Sequence, residues 1–120
     1  MEPERIKVIA ITGSRSGIDR GTVHQYLSAL LSLGNYEIVT GGAKGVDRFA
    51  IEFAELHGIK HTEILPDYNR YSTVAPIIRN KEIVKNADMV YAFWDGLSKG
   101  TLHTITYASK IGKRILVIKN

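Results

Sequence analysis

An α/β fold, a five-stranded parallel sheet with helices on both faces, is the architecture the sequence predicts, and three observations predict it. Short apolar runs rich in β-branched residues recur along the chain. Each of the first four is followed, after a loop, by a segment with apolar residues at helical spacing. The loops leaving the runs carry glycine, hydroxyl and charged residues. Parallel neighbours need crossover connections, so strands and helices alternating in this way give a Rossmann-like sheet covered on both sides. With 120 residues, 44% of them hydrophobic, the chain suits one domain spanning 1–120.

IKVIAI, Ile6 to Ile11, is almost continuously apolar and predicts a strand buried on both faces. Val23, Tyr26, Leu27, Leu30 and Leu31 then mark the stripe of an amphipathic helix, with Asp19 as N-cap and Gly34 as stop. YEIVT, Tyr36 to Thr40, predicts the second strand, and Val46, Phe49, Ala50, Phe53 and Ala54 the buried side of a second helix ending near Gly58. IKHTEIL, Ile59 to Leu65, predicts the third strand, and PDYNRYSTVAP a long polar and aromatic loop. A helix around Ile77 to Lys85, the strand ADMVYAFW, a helix from Lys99 to Ile111 and the strand KRILVI complete five strands and four helices.

Composition narrows the chemistry. The absence of cysteine removes disulfides, thiolate zinc sites and cysteine nucleophiles. The four histidines, His24, His57, His61 and His103, have no HExxH spacing, so no metal is expected. The opening MEPERIK lacks the basic start and apolar stretch of a signal peptide, and no apolar run approaches the ~20 residues that cross a bilayer. A cytoplasmic protein without membrane contact is the expectation. The net charge of +4 suits anionic partners but is spread along the chain rather than gathered in a basic block, which reads as a solubility feature rather than a nucleic-acid footprint and does not name the ligand.

In a parallel sheet, ligands sit beyond the carboxyl ends of the strands, so the loops there carry the functional reading. TGSRSG follows the first strand and TGGAKGVD the second; PDYNRY follows the third and DGLSKGT the fourth. Glycine lets a ligand approach the main chain, and the unpaired N–H groups of a helix start favour an anion. Gly41, Gly42, Ala43, Lys44 and Gly45 therefore form one candidate phosphate loop, and Ser98, Lys99, Gly100 and Thr101 a second. Neither GxGxxG nor GxxxxGK[ST] is present. Arg15, Lys44, Arg79 and Lys99 are candidate phosphate cations, and Asn80 beside Arg79 both donates and accepts. Asp47 and Asp95 are placed to accept from ribose hydroxyls or to act as acid or base. Tyr68, Tyr71 and Trp94 are candidates for stacking on a base, and His103 for donating a proton.

These residues resemble the SLOG superfamily, whose relatives include the LOG cytokinin-activating proteins and DNA-processing protein A; the chain is most similar to its small stand-alone members. The resemblance rests on Gly13, Ser14 and Arg15, on TGGAKGVDRFA, on the stretch from Tyr71 to Arg79 and Asn80, and on ADMVYAFWDGLSKGT. It implies a nucleotide-binding or sensing domain with the phosphate between the GG and GT loops, no further cofactor, and a homodimer. The LOG pattern PGGxGTxxE places a glutamate three residues after the threonine; counted from Thr101, that position is Thr104, which is no acid or base. The alternatives are a nucleotide-processing enzyme with Asp47 or Asp95 in the glutamate's role, cleaving an N-glycosidic or phosphate bond, and a DNA-binding protein.

Overall fold

The computed structural model describes residues 7–119. Ile6 and most of the MEPERIK segment lie outside them. The elements run β1 (Lys7–Gly13), α1 (Arg20–Leu30), β2 (Tyr36–Thr40), α2 (Val46–His57), β3 (His61–Glu63), α3 (Tyr68–Tyr71), α4 (Ala75–Asn86), β4 (Met89–Trp94), α5 (Lys99–Lys110) and β5 (Arg114–Lys119). The strands form one parallel sheet in the order β3-β2-β1-β4-β5.

Alternation along the central strands assigns each face. Ile9, Ile11 and Ile38 point into a core shared with Val23 and Leu27 of α1 and Val46, Ala50 and Phe53 of α2. Ala10, Val39 and Val90 face the other way, toward Ile83 and Val84 of α4 and Ala108 of α5. The buried residues on the α4 and α5 side are smaller, with three alanines, Ala10, Ala87 and Ala108, and, among the described residues, no buried aromatic in that cluster. Phe53 and Phe93 are the largest fully buried side chains, and truncating either to alanine is expected to cost ~3–5 kcal/mol.

Several sequence expectations are corrected. The third strand is only His61–Glu63, because its ladder with β2 runs only from Ile38 to Thr40 and ahead of it the Ile59 N–H is given to the Ala54 carbonyl at the end of α2. The polar loop contains the single-turn α3, capped by Asp67 accepting from the Arg70 N–H at 3.1 Å, followed by a 3-10 turn; among the described residues there are five α-helices, not four. α4 starts at Ala75 because Pro76 fits a first turn, where no N–H is required. Asp19 occupies the N-cap position of α1 without a capping side-chain bond. Leu31 belongs to a 3-10 turn after α1 and is exposed, not part of the buried stripe. Gly58 ends α2 in the left-handed conformation as expected, at φ 67°. Among the described residues no helix is long and apolar enough to cross a membrane.

The chain leaves β1 toward β2 on one side and later places β4 on the other. The loops after β1 and β4 therefore diverge from adjacent strands in opposite directions, which opens a crevice at their carboxyl ends.

Candidate functional site

Ser14 stitches the loops together at this crevice. Its N–H donates to the Phe93 carbonyl at 3.1 Å, its carbonyl accepts from the Val46 N–H at 3.2 Å, and its Oγ accepts from the Asp95 N–H at 3.1 Å. One buried serine thus ties the end of β1 to the start of α2 and to the loop after β4. Glycine at position 13 is demanded by packing, since a Cβ there would lie 2.6 Å from both Val46 Cβ and the Phe93 carbonyl oxygen. Gly45 is demanded twice over, by a φ of 81° and by the Ser14 and Arg15 carbonyls against it.

Around this junction lies a cavity of about 350 Å³. Gly13 and Arg15 come from the loop after β1, and Gly41, Ala43 and Asp47 from the loop after β2 and the first turn of α2. Arg79 and Asn80 face it from α4, and Asp95, Ser98, Gly100 and Thr101 from the loop after β4 and the start of α5. The two candidate phosphate loops therefore meet at one hollow. Ser14, Gly42, Lys44, Gly45, Tyr71 and Lys99 do not line it. Ser14 and Gly45 serve the framework, Gly42 turns toward Leu65 and Glu63 at φ 72°, and Lys44 and Lys99 are exposed.

No aromatic residue lines the cavity among the described residues, so Tyr68, Tyr71 and Trp94 are not placed to stack on a base inside it. Trp94 instead donates from Nε1 to the Ser98 carbonyl at 3.0 Å, bracing the start of α5. His103 is likewise absent from the lining, with Nδ1 buried and unpartnered. Thr12, Ser16, Pro76, Ile83 and Thr104 were not singled out in the sequence as binding residues, yet all line the cavity. Helical spacing from Arg79 leads to Pro76 and Ile83, three residues before and four after, on the same side of α4. Thr104 Oγ1 donates back to the Gly100 carbonyl at 3.2 Å, so the threonine in the LOG glutamate position is spent on its own helix.

The loops differ in what they leave open. In the loop after β2, the Gly42 N–H donates to Thr40 Oγ1 at 3.2 Å and the Ala43 N–H to Asp47 Oδ2 at 3.1 Å. That loop is largely satisfied from within, so its amides offer less to an anion than the glycine pattern implied. In the loop after β4, Asp95 Oδ1 accepts from the Leu97 and Ser98 N–H groups, both at 2.8 Å. Beyond it, Lys99 and Gly100 head α5, where their N–H groups have no intrahelical carbonyl to reach. Ser98 caps the helix, accepting from the Thr101 N–H at 3.5 Å, a long bond.

The two carboxylates are held in opposite states. Burial is the largest influence on Asp47 and pushes its pKa up to about 6; the Ala43 N–H, the Arg79 charge and the Gly41 N–H act against that, and Glu63 adds to it. Its Oδ1 is buried with no hydrogen-bond partner among the described residues. Asp95 is half-buried, and the Ser98 and Leu97 N–H groups hold its pKa below the ordinary value. Burial lowers the pKa of Arg79, with the Asp47 charge opposing. The Arg79 guanidinium is fixed by donation to the Gly41 carbonyl at 2.6 Å and from Nε to Asn80 Oδ1 at 2.8 Å. The cavity thus joins a polar, amide-bearing side at α5 to a buried carboxyl with one unused oxygen.

Residues 7–71 match the SLOG family described as YAcAr: YspA, cpYpsA-related. No curated protein matches the sequence. Among solved structures, DNA processing protein A from Helicobacter pylori, described for its single-stranded DNA binding mode, is 22% identical with a TM-score of 0.74. That match covers 92% of this chain and 64% of that protein. DNA processing protein A from Streptococcus pneumoniae is 19% identical with a TM-score of 0.79, over 93% of this chain and 50% of that one. The present chain therefore spans roughly half to two thirds of the length of either. At these identities the likeness speaks for the Rossmann-like fold, and the family match carries the assignment: the chain belongs to the YspA- and cpYpsA-related SLOG family.

Proposed function

We propose that this domain binds a nucleotide or nucleotide-derived phosphorylated molecule in the cavity at the carboxyl ends of β1, β2 and β4, as a binding or sensing module. The observation that carries the reading is the meeting, around one cavity of about 350 Å³, of the start of α5 with Arg15, Arg79 and the unsatisfied Asp47. The phosphate goes to the first turn of α5, where Gly100 supplies an N–H group and Ser98 and Thr101 hydroxyls, with Arg15 adding charge. A volume of this size accepts one mononucleotide unit. Calorimetric titration with a panel of nucleoside mono- and diphosphates tests the reading: binding by at least one member is expected, and silence across the panel at millimolar concentrations contradicts it.

A second reading is binding of single-stranded DNA, as described for the Helicobacter pylori protein of the same fold. The same phosphate-accepting residues would then take one unit of a strand, with the exposed Lys44 and Lys99 along its path. Such a complex weakens steeply as salt rises. Gel retardation of an oligonucleotide at low salt, lost at high salt, favours it. An enzymatic role for Asp47 rests on a pKa near 6, within reach of acid/base work at neutral pH; release of base or phosphate from an incubated nucleotide, abolished in Asp47→Asn, is its test. Asp95, whose Oδ1 accepts two backbone N–H groups, is a weaker base. Homodimerisation remains a proposal from the family resemblance, checked by light scattering.

A further inference from the structure

We propose that Asp47 is the specificity residue of the cavity, accepting a hydrogen bond from a hydroxyl of a ribose ring, so that the site takes ribonucleotides in preference to their deoxy counterparts. This rests on the nucleotide-binding reading above and adds the class of sugar.

The carboxyl of Asp47 stands in the cavity wall, 6% exposed overall. One oxygen, Oδ2, accepts from the Ala43 N–H at 3.1 Å; the other, Oδ1, is buried and has no partner among the described residues. An unmet buried acceptor is costly, and it is relieved by a donor that enters with a ligand. Arg79 and the Gly41 N–H both favour the charged carboxylate, but the Arg79 N–H groups are given to other acceptors. The Arg79 guanidinium donates to the Gly41 and Ile64 carbonyls and to Asn80, and Glu63 carries the same sign of charge as Asp47.

The donor is a neutral hydroxyl rather than phosphate or base. A phosphate oxygen offers no proton at neutral pH and would be repelled by a carboxylate. A base held deep in the cavity would meet no aromatic face, since Gly41, Ala43, Pro76, Ile11 and Ile83 furnish the nonpolar wall. The sugar lies next to the phosphate in any nucleoside 5′-monophosphate, so a phosphate at the start of α5 leaves the ribose as the group that shares its cavity. Its 2′ and 3′ hydroxyls are donors of the right kind, and a hydroxyl given to a carboxylate is among the stronger neutral-to-charged contacts.

The test is calorimetric titration of the wild-type chain with the four ribonucleoside 5′-monophosphates and with their 2′-deoxy and 3′-deoxy counterparts. For the ribonucleotide that binds, removal of one of the two hydroxyls is expected to weaken binding about tenfold or more, the order expected for one charge-assisted hydrogen bond. In Asp47→Asn the discrimination should collapse to about threefold or less, because a neutral amide replaces the carboxylate and the contact to the hydroxyl is no longer charge-assisted. A second arm needs no variant: lowering the pH from 7.5 to 5 protonates Asp47 and should narrow the ribose-to-deoxy ratio in the wild type, a ratio in which the ligand phosphate's own titration cancels. Equal affinity for the three series overturns this proposal and leaves the phosphate site standing. Discrimination unchanged in Asp47→Asn and at both pH values also overturns it, by assigning the sugar contact to another residue. Absence of binding by every nucleotide overturns the underlying reading and the proposal with it.

Discussion

The Arg79 guanidinium on α4 donates to the main-chain carbonyl of Gly41, 38 positions earlier, at 2.6 Å. A charged fork from one helix thereby fixes the loop after β2, while Asp47 holds the next turn of that loop through the Ala43 N–H. Arg79→Met keeps much of the apolar stem and removes these donors. It is expected to lower stability by ~1.5–3 kcal/mol, the range for a charge-assisted hydrogen bond in a partly buried setting. Urea denaturation of wild type and variant measures it; a difference below about 0.5 kcal/mol means that the loop holds itself.

Two glycines on the cavity wall separate folding from binding. A Cβ at Gly13 meets the Phe93 carbonyl and Val46 at 2.6 Å, so Gly13→Ala should destabilise by ~1–3 kcal/mol or more through overpacking. A Cβ at Gly100 meets nothing within 4 Å, so Gly100→Ala should leave stability unchanged or raise it by up to ~1 kcal/mol through helix propensity. That same methyl stands where the phosphate is proposed to sit, and nucleotide binding should fall by about tenfold, or ~1.4 kcal/mol. Thermal melts and calorimetry on the same two samples check both halves.

Asp47 gives stability an unusual pH dependence. Its pKa is about 6 in the fold against 3.8 ordinarily, so between those values the folded chain binds more protons than the unfolded one. Stability from this group is therefore greatest below pH 4 and declines as pH rises through 6, the reverse of a salt-bridged carboxylate, by roughly 3 kcal/mol in all. Asp95 works in the other sense: its lowered pKa contributes stability at neutral pH that is lost as the pH falls through that pKa. Subtracting the stability profile of Asp47→Asn from that of the wild type isolates the first effect. The difference should grow in favour of the variant from pH 4 to pH 7; a flat difference contradicts the buried, unsatisfied state of this carboxyl.

Ser14 carries a structural prediction of its own. Removing Oγ in Ser14→Ala leaves the part-buried Asp95 N–H without its acceptor and should cost about 1 kcal/mol. The loop after β4 should also loosen, seen as faster amide exchange at Asp95; unchanged exchange there means that the Leu97 and Ser98 bonds to Asp95 suffice to hold it.

The central sheet was legible in the sequence because β1, β2 and β4 are buried on both faces, where apolar composition and strand identity coincide. β3 was overextended because the Ile59 N–H is held by the Ala54 carbonyl at the end of α2 and Leu65 lies past the last paired residue of β2; pairing, not composition, ends a strand. The α3 turn was missed because its signal is one Asp67 cap within a polar stretch. For the site, the loops announced themselves through glycine and hydroxyls, and most residues chosen from them do face one cavity. What the sequence concealed was the direction of each side chain. Ser14 and Gly45 hold the loops together, and Asp47, a candidate ribose acceptor or acid/base, is buried with one oxygen bonded to its own loop. Glycine patterns indicate where backbone comes close; they do not say whether its amides are already taken, as those of Gly42 and Ala43 are.

The most direct test of the account is amide chemical-shift mapping during titration with a ribonucleoside 5′-monophosphate. The account predicts concerted, saturable shifts at Gly13, Arg15, Gly41, Ala43, Gly100 and Thr101, with little change at Lys7, Met89 and Arg114, which line a smaller hollow at the opposite end of the sheet. Saturable shifts confined to that opposite end, or none at any residue up to millimolar nucleotide, would contradict it.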